Sequence, residues 1–218
     1  MTDARMQEAL ATLPVITKQN LGVLLGVSPT TLDYRVRHMQ ATGELLVLRS
    51  GLYAPAASWR AAQTSPGQTR QYLEYLSGIL RSPSYVSLEY VLEGAGVIPE
   101  SPFAMTCITT KTPRTYETPL GRFLYRSIRS SLFIGYAVQT YRGLETRVAS
   151  PAKALFDMLY LRPLTTTATM RTYLLETGRL NWDALRPSEK KRFVTIVRTS
   201  SIPKMQRILS ILSAEAIL

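Results

Sequence analysis

Apolar residues recur along the first forty positions at the spacing of helix faces, and each run is closed by a residue that stops a helix. Met6, Leu10 and Leu13 form one run before Pro14; Leu21, Leu24 and Leu25 form a second, with Thr17 as its cap and Gly26 just past its end. Ser28-Pro29 pairs an N-cap serine with a proline at the first helical position, which predicts a third helix from Pro29 to about Thr42. Leu32, Val36 and Met39 fall on one stripe of that helix, and Gly43 ends it. The pattern then changes. Leu45-Leu46-Val47-Leu48 and Leu52-Tyr53-Ala54-Pro55 are short apolar runs joined by Arg49-Ser50-Gly51, the signal of a β-hairpin.

Three helices followed by a hairpin, in this order and at these lengths, are the plan of a winged helix-turn-helix, in which the third helix enters the major groove. Opposite the apolar stripe lie Thr30, Tyr34, Arg37, His38 and Ala41, with Thr31 and Arg35 on the flanks. Hydroxyl, phenol, guanidinium and imidazole groups can bond base edges or phosphates. Arg49, at the tip of the wing, is placed for a phosphate or the minor groove.

Ala56 to Gly67 is small and polar, contains Pro66 and Gly67, and reads as a linker. The expected organisation is a winged helix-turn-helix domain over 1–60, a linker over 61–67 and a larger domain over 68–218. Gln68 to Leu80 is periodic, with Tyr72, Leu73, Leu76, Ile79 and Leu80 forming its stripe, and a short helix is predicted from Leu88 to Glu93. From Phe103 to Ser150, β-branched and aromatic runs separated by proline and glycine predict an antiparallel sheet. Ser150-Pro151 repeats the helix-start signal, and everything after residue 165 reads as helical. The predicted class is α+β, with the sheet followed by a C-terminal run of helices.

Charge changes this picture more than size does. The 218 residues carry 26 lysines and arginines against 15 acids, a net +11, which points to a polyanionic partner or an acidic membrane surface. Residues 1–60 hold only +2 of that surplus, residues 61–150 hold +3 and residues 151–218 hold +6. Lys111, Arg114, Arg122, Arg126 and Arg129 concentrate in the predicted sheet, where alternation puts Arg122, Leu124 and Arg126 on one face and Phe123 and Tyr125 on the other. This is a second candidate anionic contact surface.

No apolar stretch approaches the ~20 residues of a transmembrane helix, and Met1 to Leu10 lack a secretory h-region. One cysteine, Cys107, cannot form an internal disulfide, which suits a cytoplasmic protein. One cysteine and one histidine exclude a CxxC zinc site and an HExxH site, and no glycine-rich phosphate loop occurs. No cofactor, metal site or catalytic residue is therefore assigned, and the chain is read as a non-enzyme. A DNA-targeted magnesium nuclease would have to use Lys153 and Asp157, on adjacent turns of one helix, with Glu89 and Glu117; the ordinary alternative for the first two is a surface ion pair. A ligand-responsive regulator is a further alternative, for which no pocket residue can be named.

Several strings in the second half resemble a known family. Ser84-Tyr85-Val86-Ser87-Leu88-Glu89 followed by Gly96-Val97-Ile98-Pro99-Glu100 is similar to the body of AbiEi-type antitoxins. So are Thr109-Thr110-Lys111, Arg114-Thr115-Tyr116-Glu117-Thr118-Pro119, Gly121-Arg122-Phe123 with Tyr125-Arg126, and Ala149-Ser150-Pro151-Ala152-Lys153-Ala154-Leu155. The resemblance covers the winged helix and most of the rest, and weakens after about residue 165. It implies a transcriptional repressor and antitoxin of a type IV toxin–antitoxin system, a class first met in phage abortive infection. The N-terminal domain of such proteins binds inverted repeats in the promoter of its own operon, and the C-terminal domain counters a nucleotidyltransferase toxin. Carried over, the DNA-reading positions are Thr30, Thr31, Tyr34, Arg35, Arg37, His38 and Arg49, with Lys111, Arg114, Arg122 and Arg126 as a secondary basic surface. The expected partners are duplex DNA and a cognate toxin, with no membrane. The chain is expected to be monomeric in solution, with cooperation between copies arising on DNA.

Overall fold

The computed structural model describes residues 3–218. Helices α1 (Asp3–Thr12), α2 (Lys18–Leu25) and α3 (Pro29–Ala41) surround a three-stranded antiparallel sheet of β1 (Ile16–Thr17), β2 (Leu45–Arg49) and β3 (Leu52–Pro55), in the order β1-β3-β2. The caps form as their residue types require: Thr17 accepts from the Asn20 amide at 3.1 Å and Ser28 from the Thr31 amide at 3.3 Å. Met6, Leu10, Leu21, Leu32, Val36, Met39, Leu45 and Tyr53 close into one small core.

The larger part begins with α4 (Ala56–Ala62) and α5 (Pro66–Leu80). Its sheet contains β4 (Ser84–Val86), β5 (Met105–Thr109), β6 (Arg114–Thr118), β7 (Gly121–Ser127), β8 (Tyr136–Tyr141) and β9 (Leu144–Ala149), in the order β6-β7-β5-β4-β9-β8. One face is covered by α5. Against the other lie α6 (Glu89–Gly94) and α7 (Pro151–Leu161), and outside α7 pack α9 (Pro187–Ser200) and α10 (Pro203–Ala214). Between them run α8 (Thr167–Thr172), a π-helical turn over Tyr173–Thr177 and a 3-10 turn over Trp182–Ala184. The architecture is α+β with a helical C-terminal third. No described helix is long and apolar enough to cross a membrane.

Two expectations are corrected. The sheet is mixed rather than antiparallel: β5 runs parallel to β7 and β4 parallel to β9, while β4–β5, β6–β7 and β8–β9 are antiparallel. All five residues of β5 are buried, the unbroken pattern of a strand covered on both faces, and such central strands join by crossovers as well as by hairpins. The expected linker is largely helical. Ala56, Ser58 and Ala62 are buried, and the Ser58 hydroxyl donates to the Leu13 carbonyl at 2.7 Å. Small polar residues suggest a linker, but alanine is the strongest helix former and permits close packing on α1. Only residues 63–65 separate α4 from α5.

The two halves share the small sheet. Leu45 and Tyr53 face the N-terminal core, whereas Leu48, Leu52 and Ala54 join the main core. The buried Tyr72 hydroxyl of α5 donates to the Pro14 carbonyl at 2.7 Å, and its ring stacks on Trp59 of α4 with centroids 5.9 Å apart.

Candidate nucleic-acid interface

Helix α3 is held from below. Leu32, Val36 and Met39 are buried under it, and a Cβ at Gly22 of α2 would stand 2.9 Å from Leu32 Cδ2, so the two helices meet closely at this glycine. Gly26, with φ +61°, turns the chain between them. The outer face is left to Thr30, Thr31, Tyr34, Arg35, Arg37 and His38, all exposed. Tyr34 is 63% exposed, and its ring lies 6.4 Å from that of His38. Thr31 Oγ1 is 3.0 Å from Ser28 Oγ and belongs to the cap. Arg37 donates from Nε to the Asp33 carbonyl at 3.2 Å, which steadies the guanidinium on its own helix. The acid on this helix is answered: Lys18 hydrogen-bonds Asp33 and holds its carboxyl below the ordinary carboxylate range. Arg49 is exposed at the hairpin turn, where the β2–β3 register slips between Val47 and Arg49. The Lys18 amide ties that turn to α2 through the Gly51 carbonyl at 2.9 Å.

The four residues of the secondary surface do not form one patch. Arg122 and Arg126 point away from α5, as alternation predicts, with Phe123 and Tyr125 buried opposite them. Arg114 pairs in register with Tyr125 and so lies on the other face, its guanidinium 5.2 Å from the Tyr116 ring centroid. Lys111 is exposed in the turn between β5 and β6. Arg122 is paired with Glu117 at 2.7 Å, while Arg126 makes no ion pair among the described residues.

Arg122 and Arg126 form the floor of a groove of about 560 Å³, whose walls include Glu89, Arg162 and Tyr173. Two backbone irregularities flank it. Leu88, buried before α6, has φ 61° and ψ −141°, a conformation costly for any residue with a Cβ. The Tyr173–Thr177 turn is π-helical, and a Cβ at Gly178 would stand 2.4 Å from the Tyr173 carbonyl oxygen. Nothing in the sequence marks Arg162 and Tyr173, whose ring centroid lies 4.4 Å from the Arg162 guanidinium, as lining one groove with Arg126.

The nuclease residues do not converge. Lys153 and Asp157 are not at the surface: their side chains are 1% and 0% exposed, and they pair at 2.7 Å inside the protein. Asp157 also accepts from Ser87 at 2.8 Å and Tyr85 at 2.9 Å, and Lys153 donates to the Leu132 carbonyl at 2.8 Å. Burial pushes the Asp157 carboxyl above its ordinary value, against the opposing pull of Lys153 and the two hydroxyls. Glu117 is spent on Arg122, and Glu89 faces the groove. Among the described residues no three His, Cys, Asp or Glu side chains gather as metal ligands. Cys107 is fully buried, which raises its thiol to about 12. A thiol-specific reagent is therefore expected to leave the folded protein unmodified at neutral pH and to label it stoichiometrically after denaturation.

The basic C-terminal third divides by role. Lys190 donates to the Ile217 carbonyl at 2.9 Å, and Lys204 to the Tyr160 and Arg162 carbonyls at the end of α7. Arg171 and Arg179 pair with Glu215 and Glu100. Arg186, Lys191, Arg198 and Arg207 are exposed and make no ion pair among the described residues. No protein-family model matches the chain, and no curated protein matches it.

Proposed function

We propose that the chain is a DNA-binding repressor and antitoxin of the AbiEi kind, acting by binding rather than by catalysis. Its N-terminal part is read as a winged helix, with α3 in the major groove, Arg49 on the wing, and the larger part as the toxin-facing body. The observation that carries this reading is the outward face of α3: six exposed side chains able to bond bases or phosphates, on a helix whose acid is held by Lys18. The order β1-β3-β2 agrees with the same plan. In this reading phosphate contacts fix register and the side chains of α3 select sequence.

Fluorescence anisotropy with the duplex upstream of the protein's own reading frame tests it. Binding is expected to outcompete a scrambled duplex and to weaken with salt by about −0.9 in log–log slope per phosphate contacted. Equal affinity for both duplexes defeats the repressor reading.

A ligand-responsive regulator without a toxin is the second reading, favoured by the groove at Arg122 and Arg126, whose Glu89 wall follows directly on the strained Leu88. Small organic anions would then raise the thermal midpoint of the protein, and Arg126→Ala would abolish the rise.

A further inference from the structure

Strand β8 is the outermost strand on its side of the large sheet, and its backbone is open. The β8–β9 hairpin turns on Arg142 and Gly143, both at positive φ (49° and 78°), the signature of a two-residue type I′ turn. Such a turn makes Tyr141 and Leu144 the closing hydrogen-bonded pair. Alternation then assigns Gln139 with Thr146 and Ala137 with Val148 to the bonded set. Tyr136, Val138 and Thr140 consequently direct their backbone N–H and C=O groups outward, where no described element covers them.

Edge strands are normally guarded by charge, proline, a bulge or a covering element. The opposite edge, β6, has such guards: Arg114 and Glu117 lie on it and β2 packs beside it. The sequence of β8, Tyr-Ala-Val-Gln-Thr-Tyr, has neither charge nor proline. Val138 is 60% exposed and Ile134, just before the strand, 56%.

We propose that β8 pairs antiparallel with β8 of a second copy about a two-fold axis at Val138, joining the two large sheets edge to edge. In this register Val138 faces Val138 of the second copy, and Tyr136 faces its Thr140, so every outward backbone group finds a partner. The occupant follows from charge. Two chains of net +11 repel one another except along a seam free of basic residues, and β8 is such a seam. Of the cations beside it, Arg147, opposite Val138, is paired with Glu145 at 2.6 Å and lies over the Tyr136 ring, and Arg142 sits beyond the strand's end in the turn, over the Tyr141 ring. Across the joined sheet the two Arg147 strands would be about 14 Å apart, beyond the screening length at physiological salt. So short a contact is weak and concentration-dependent, and it adds self-association to the monomer expected from sequence. It does not depend on the DNA reading.

The test is sedimentation velocity of the full chain over a concentration series. The wild type is expected to shift from monomer toward dimer as concentration rises. Val138→Lys sets like charges across the axis, and Val138→Pro removes an N–H that bonds nothing within the protomer. Both should weaken association roughly tenfold or more while the thermal midpoint stays near that of the wild type. Val138→Cys should form an intermolecular disulfide on oxidation, since paired Cα atoms about 5.5 Å apart suit one; Val23→Cys, 79% exposed on α2, should not. A wild type that stays monomeric at every concentration, Val138→Cys that oxidises no faster than Val23→Cys, or a dimer undiminished in the lysine and proline variants would each overturn the proposal.

Discussion

Lys153→Met is expected to destabilise the protein by about 3–5 kcal/mol, because it leaves the Asp157 carboxylate buried without its cation. For a chain of this size, that corresponds to a fall of roughly 6–20 °C in the thermal midpoint. The methionine keeps most of the lysine stem, so packing against Phe156, whose ring centroid lies 5.0 Å from Nζ, is largely retained and the loss is electrostatic. Two hydroxyls remain to bond Asp157, but neither neutralises it. The loss should depend on pH in a definite direction. Without Lys153 the folded-state pKa of Asp157 rises further above its unfolded value, so the folded form binds the proton more tightly. The deficit is then small under acid conditions and grows as pH rises past the wild-type folded-state pKa of Asp157, which burial already holds above the ordinary carboxylate value. Lys153→Met combined with Asp157→Leu should recover much of the stability, since an apolar pair of similar volume replaces the ions. Calorimetry of the wild type and the two variants at two pH values measures this. A single variant as stable as the wild type would show that the pair contributes nothing.

The second large effect concerns DNA. Tyr34→Ala and Arg37→Ala are each expected to weaken binding to the upstream duplex by about 1–3 kcal/mol, or roughly 5- to 150-fold, if the residue reads a base. Arg37 is the sharper test, because its Nε is fixed on the Asp33 carbonyl and its remaining nitrogens have no partner among the described residues. Arg35→Ala should behave differently if it meets a phosphate: affinity falls on specific and scrambled duplexes alike, and the salt slope flattens by about one. Unchanged titrations for Tyr34 and Arg37 would remove α3 as the reading element. All three side chains are exposed, so folding should be little affected.

Local signals were the most legible. Ser28-Pro29 and Ser150-Pro151 each begin a helix with the serine accepting from the residue three ahead, because that geometry is encoded within four residues. The Leu32, Val36, Met39 stripe and the alternation of β7 are likewise set by periods of 3.6 and 2. What needed the whole fold was not legible. The three-residue β4 is too short to show a period, yet it sits between β5 and β9 near the centre of the large sheet. The i,i+4 spacing of Lys153 and Asp157 was plain, but their depth depends on Tyr85 and Ser87, which arrive from some seventy residues earlier. The four basic residues offered as one surface were divided by strand register, which the sequence does not state. In the sequence Lys190 and Lys204 are simply two of the charges of the basic C-terminal third, and only the fold sets them on carbonyls.

The small sheet buries one set of side chains toward α1–α3 and another toward the large core, with Tyr72 fastened to Pro14 beneath it. Residues 1–60 are thus no interchangeable cassette. Transplanted to another protein, they would present Leu48, Leu52 and Ala54 to water, and a chimera would need either polar replacements there or a host that supplies an equivalent of α5. A lineage that exchanged N-terminal halves by recombination would have to carry the seam along with them, so, under the proposed DNA-reading role, preference would diverge more easily by point substitution on α3 than by shuffling.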